Sequence, residues 1–118
     1  MHEVAIVDAI IEQVQDEVRR AGAAGRVSRI ELSIGRLSGV SPDAIRFALE
    51  FLAPGTLLES AQLAIREPRA LCSCAACGAR SEIDELEADC PRCASRDVTI
   101  EGGRELILES IELEDPSS

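Results

Sequence analysis

A chain of 118 residues with 46% hydrophobic content suits one small folded domain, or a domain carrying a smaller module, and is too apolar to stay disordered. Its 12 basic residues, all arginine, face 22 acidic ones for a net charge of −10, which excludes a general binder of phosphate backbones or anionic membranes. Two Phe and no Tyr or Trp leave an aliphatic core and none of the stacking platforms that single-stranded nucleic acids need.

In chain order, residues 4–21 read as an amphipathic helix. Val7, Ile10, Ile11, Val14, Val18 and Ala21 recur at spacings of three and four, and Gly22 or Gly25 stops the helix. Residues 29–34 read as a strand, Ile30, Leu32 and Ile34 alternating with Arg29, Glu31 and Ser33. A loop from Gly35 to Val40 leads to Ser41-Pro42-Asp43, a helix start with Ser as N-cap and Pro at the first helical position. Ile45, Ala48, Leu49 and Leu52 line the apolar face of this second helix, Phe47 and Phe51 widen it, and Pro54-Gly55 ends it. A second strand runs near 61–66 and a third near 104–113. In the third, Leu106 and Leu108 fall in one phase and Ile111 and Leu113 in the other, which predicts a bulge or a change of buried face near Glu109-Ser110. The last residues, 114–118, form a frayed tail.

No apolar run reaches membrane-spanning length, and the start Met1-His2-Glu3 lacks the basic region of a signal peptide, so a cytoplasmic protein is expected. In a reducing compartment five clustered cysteines point to a metal site before a disulfide framework. Cys74-x2-Cys77 and Cys90-x2-Cys93 are two tight turns, each able to aim two sulfurs at one centre. Between the second and third strands, residues 69–101 hold few large apolar side chains: Leu71, Ile83, Leu86, Val98 and Ile100. A structural zinc held by four thiolates supplies what that small core lacks, since its binding free energy becomes folding free energy. Rubredoxin-type iron, redox thiols or free thiols could use the same residues. Cys72 is a fifth thiol, either a spare or an exchange partner for Cys74. The expected fold class is α+β: two helices on a small three-stranded sheet formed by both ends of the chain, with an inserted zinc-ribbon-like module of four cysteines.

The module is a poor nucleic-acid surface, because Arg80, Arg92 and Arg96 are outnumbered by Glu82, Asp84, Glu85, Glu87, Asp89 and Asp97. One histidine and no nucleophile–base constellation argue against an enzyme, and Glu85 and Glu87 read as solvated surface. That histidine, His2, reads by position alone as a mobile residue near a chain end. Its chemistry allows more. The Met1 amine, the His2 amide nitrogen and the His2 imidazole can close adjacent chelate rings around Ni²⁺ or Cu²⁺, with the Glu3 amide or carboxylate within reach.

Several motifs together resemble the HypA/HybF family of hydrogenase-maturation nickel metallochaperones. They are Met1-His2-Glu3 followed at once by the amphipathic helix, Ile34-Gly35-Arg36-Leu37-Ser38-Gly39-Val40 with its downstream helix, Cys74-x2-Cys77-x12-Cys90-x2-Cys93, and Arg104-Glu105-Leu106 through Ile111-Glu112. The resemblance implies a nickel-binding α/β domain from residues 1–68 plus 102–118, with a zinc domain of residues 69–101 inserted. It implies that His2 is the principal nickel ligand, aided by the Met1 amine and Glu3, and that Cys74, Cys77, Cys90 and Cys93 hold structural zinc. It also implies delivery of Ni²⁺ to the [NiFe]-hydrogenase large subunit with a nickel-handling GTPase and, in some organisms, service to urease maturation proteins. Cys72 departs from the family pattern and touches the identity of the first zinc thiolate. The rival reading is a zinc-ribbon protein-interaction or transcription module without nickel, and a second rival is a thiol redox switch.

Overall fold

The computed structural model describes residues 3–23, 25–86 and 89–114. Met1, His2, Glu87 and the tail residues 115–118 lie outside the described residues. The element order is α1 (Glu3–Arg20), β1 (Val27–Ile34), α2 (Pro42–Leu52), β2 (Gln62–Arg66), β3 (Ala70–Cys74), β4 (Arg80–Ile83), β5 (Val98–Glu101) and β6 (Leu106–Leu113). The strands form two three-stranded sheets, ordered β2-β1-β6 and β4-β3-β5. The chain divides into two compact units, one of residues 1–32, 40–65 and 107–118, the other of residues 33–39 and 66–106.

In the first unit, α1 buries Val7, Ile10, Ile11, Val14 and Val18, the stripe expected from their spacing. Ala21, expected on that face, is exposed, because the helix has already ended. Gly22 at φ 68° donates to Arg19 O, and Ala23 reaches back to Val18 O at 3.2 Å, so a Schellman closure satisfies the last carbonyls. β1 is the central strand and buries Ile30, Leu32 and Ile34, as their alternation predicts. β6 joins its edge, closing the sheet with sequence from the far end of the chain. Ser28 Oγ donates to Glu112 O at 3.1 Å, and Arg29 pairs with Glu112 at 2.9 Å. The half-buried residues of β6 are Leu108 and Ile111, three apart, so its phase slips where the sequence predicts.

α2 starts as expected, with Ser41 Oγ accepting from Ala44 N–H at 3.2 Å. Its buried residues are Ile45, Ala48 and Leu49. Phe47 and Phe51 correct the expectation. They are exposed at 70% and 77% and do not widen the core face. At 100° per residue Phe47 lies across the helix from Ile45 and Leu49, while Phe51 stands only about 60° from Ala48, at the edge of the buried face, and is left in solvent there.

The second unit is built on β3, flanked antiparallel by β4 and β5. Ala70, Cys72 and Cys74 share the buried face of β3, as period-two alternation requires. Its apolar centre is Ala70, Cys72 and Ile83, with Leu37, Val98 and Ile100 packed against it. Leu37 comes from residues 33–39, which cross this unit as a strap: Gly35 N–H donates to Glu105 O at 2.7 Å, Arg36 N–H to Pro68 O at 3.0 Å, and Leu37 N–H to Gly103 O at 2.6 Å.

A candidate four-cysteine metal centre

Cys74 ends β3, and the turn after it closes in a fixed order. Cys77 N–H donates to Cys74 Sγ at 3.4 Å, Gly78 N–H to Cys74 O at 2.9 Å, and Cys74 N–H to Ala79 O at 2.9 Å. The second turn repeats the backbone pattern at the same offsets. Ala94 N–H donates to Cys90 O at 2.8 Å and Cys90 N–H to Ser95 O at 2.7 Å, while Arg92 N–H points at Cys90 Sγ from 3.3 Å. Each turn reverses through a left-handed residue, Gly78 at φ 74° and Ala94 at φ 64°. Glycine takes that conformation without strain, whereas alanine costs about 1–2 kcal/mol, which the surrounding bonds must offset.

The two turns bring the sulfurs of Cys74, Cys77, Cys90 and Cys93 within 4.8 Å of one another. Cys74 and Cys93 are 3.6 Å apart and Cys77 and Cys90 3.8 Å. A tetrahedral zinc with Zn–S bonds of about 2.3 Å has S···S edges of about 3.8 Å, so the donor set fits that ion in number, softness and spacing. Zinc held by these four residues would supply structural cross-linking and would leave no open position for a substrate.

The backbone and the neighbouring sulfurs act on these thiols in opposite directions. Backbone N–H groups of Cys93 and Arg92 pull the Cys90 thiol down to about 7. The Cys77 N–H lowers Cys74 in the same way. At Cys93 the Ser95 N–H works downward, but the neighbouring sulfurs of Cys74 and Cys77 prevail and push it up to about 12. Four adjacent thiolates repel one another, and a divalent cation removes that repulsion. Elsewhere in this unit Arg69 pairs with Asp84 at 2.8 Å and Glu82 at 3.5 Å, Arg36 with Asp84 at 3.5 Å, and Arg96 with Asp89 at 3.5 Å.

Cys72 is 1% exposed in the apolar centre and is not among the four converging sulfurs. Cys72→Ser is therefore expected to retain zinc while losing about 1–3 kcal/mol of stability, because it buries a hydroxyl among apolar neighbours. Metal content and an unfolding curve read both, and zinc loss would make Cys72 a ligand.

Glu3 opens α1, and its Oε2 accepts from Ser41 N–H at 3.5 Å, tying the start of α1 to the N-cap of α2. Among the described residues the four cysteines are the group of metal-ligating side chains that converges.

The family model described as hydrogenase/urease nickel incorporation, metallochaperone, hypA matches residues 1–113. The chain belongs to the HypA family. Its relatives include the hydrogenase maturation factor HypA of Chlorobium limicola, 42% identical over 115 residues that cover 98% of each chain. That of Aquifex aeolicus is 36% identical over 114 residues, 97% of this chain and 98% of the relative. The solution structure of the Ni metallochaperone HypA from Helicobacter pylori superposes with a TM-score of 0.65 at 25% identity, covering 96% of this chain and 97% of that one. HypA proteins are nickel metallochaperones for hydrogenase and urease maturation, not enzymes. Among the described residues no helix is long and apolar enough to cross a membrane.

The sequence reading missed β3, β4 and β5. The alternation of Ala70, Cys72 and Cys74, and of Val98 with Ile100, could have revealed two of them.

Proposed function

We propose that this HypA-family chain carries Ni²⁺ as cargo at its N-terminus and passes it to the [NiFe]-hydrogenase large subunit, working in the cytoplasm with a nickel-handling GTPase. Service to urease maturation proteins belongs to the same reading. Nickel is taken by His2, the Met1 amine and Glu3, in the first of the two units. Zinc is held by Cys74, Cys77, Cys90 and Cys93 in the second and is structural. The observation that carries this reading is the family match, which runs from residue 1 and so takes in Met1-His2-Glu3. Ligand chemistry supports it. Nitrogen donors in adjacent chelate rings suit nickel or copper, whereas zinc prefers the tetrahedral thiolate set, so the two ions sort to different sites.

Metal analysis of untagged protein followed by nickel titration tests the reading. One zinc per chain is expected as purified, then one Ni²⁺ taken up without displacing it. Nickel affinity should fall as pH falls, because the amine, the imidazole and any coordinating amide must lose protons to bind. An N-terminal extension should weaken uptake. Zinc-loaded protein that takes up no nickel would leave the zinc-ribbon interaction module as the better account.

A further inference from the structure

The only aromatic side chains of the chain, Phe47 and Phe51, both lie on α2 and both face solvent. Four residues apart, they form one strip on the helix surface. Leaving two Phe side chains in water forgoes burial that each could otherwise gain. The neighbours of Phe47 at three and four positions are Asp43, Ala44 and Glu50, so the charges bordering the strip are acidic. Among the described residues neither Asp43 nor Glu50 is in an ion pair. The helix's one cation, Arg46, is turned to Leu63 O at 3.2 Å. Glu50 also borders a cavity of about 360 Å³ lined in part by Leu49, Leu58 and Leu63.

We infer that the Phe47–Phe51 strip is a docking surface for a protein segment with apolar side chains bordered by Lys or Arg, such as a basic amphipathic helix. Charge selects this occupant over a second copy. Two such faces would set Asp43 and Glu50 against their own kind, between chains of net charge −10 each. Area argues the same way. The two exposed rings offer on the order of 300 Å², well below the roughly 800 Å² per partner of a standard stable interface. The contact is small, short-lived and steered by charge. It does not depend on the nickel reading, and its test needs no nickel.

The test uses full-length zinc-loaded protein and a short synthetic helical peptide bearing one Trp, leucines at helical spacing and flanking lysines. The chain has no Trp or Tyr, so the peptide's emission reports binding without background. A saturable blue shift is expected. It should weaken about tenfold or more in F47S/F51S and in a peptide with Glu for Lys, and weaken again as salt is raised. Both substitutions are at exposed positions, and circular dichroism checks that the double variant stays folded. V4S, at another exposed apolar residue, should bind as wild type does. No saturable shift up to about 1 mM peptide, equal binding by the double variant, or indifference to peptide charge would overturn the proposal. So would a wild-type dimer in sedimentation that F47S/F51S abolishes, which would assign the strip to a second copy.

Discussion

Cys77→Ser is expected to unfold the second unit while α1, α2 and the β2-β1-β6 sheet persist. The reason lies in how little else holds β3, β4 and β5. Their apolar centre is Ala70, Cys72 and Ile83, helped by the partly buried Leu37, Val98 and Ile100, while Leu86 is 67% exposed. A structural zinc supplies about 10–16 kcal/mol of apparent binding free energy, as much as the whole net stability of a typical domain. Cys77 is itself exposed, so replacing it removes almost no packing and the effect reads metal loss directly. Cys90→Ser should act alike, with a packing loss added because Cys90 is buried. Amide exchange resolves the outcome by strand. Fast exchange confined to β3, β4 and β5 after substitution or chelation is expected. Unchanged protection of those strands in metal-free protein would contradict the structural role of zinc.

Gly35→Ala should destabilise the chain by about 3–5 kcal/mol. A Cβ at Gly35 would sit 2.2 Å from both the carbonyl carbon and oxygen of Gly103 and 2.7 Å from Arg104 N. All three are backbone atoms fixed by the strap, so nothing flexible can move aside. Leu37 would be withdrawn from the apolar centre with the strap. Gly39→Ala is the control. Gly39 has φ +78° but nothing within 4 Å, so only the left-handed conformation is penalised, at about 1–2 kcal/mol. Denaturant unfolding of both variants measures the difference, and a Gly35→Ala variant as stable as Gly39→Ala would remove the close crossing from the account.

How far the fold was legible depended on whether local pattern or distant contact decided each element. α1 and α2 carry their own punctuation. Spacing at three and four marks the buried stripe of α1, Gly22 stops it, and Ser41-Pro42 starts α2 in sequence as in structure. β1 and the slip in β6 were equally readable, because period-two alternation is local. The four converging sulfurs were legible because two Cys-x2-Cys turns state their own geometry. Phe47 was misread because hydrophobicity was allowed to outweigh helical phase, whereas Phe51 borders the buried face beside Ala48 and local phase gave no warning of its exposure. The part of Leu37 in the second unit was hidden for another reason. It lies more than thirty residues from Ala70 in sequence, and only the crossing of Gly35 with Gly103 brings it there. Ala94 gave no signal, since an alanine at φ 64° is recognisable only once Gly78 is seen at the matching place in the first turn.

The proposal that the chain start carries nickel is tested most directly by calorimetry. Ni²⁺ is titrated into zinc-loaded, untagged protein and into its His2→Ala variant at one pH near neutrality. The chelate argument predicts one strong site in the wild type, weakened about a hundredfold or more in the variant, with zinc content and folding unchanged. An identical nickel isotherm for the two proteins would contradict it.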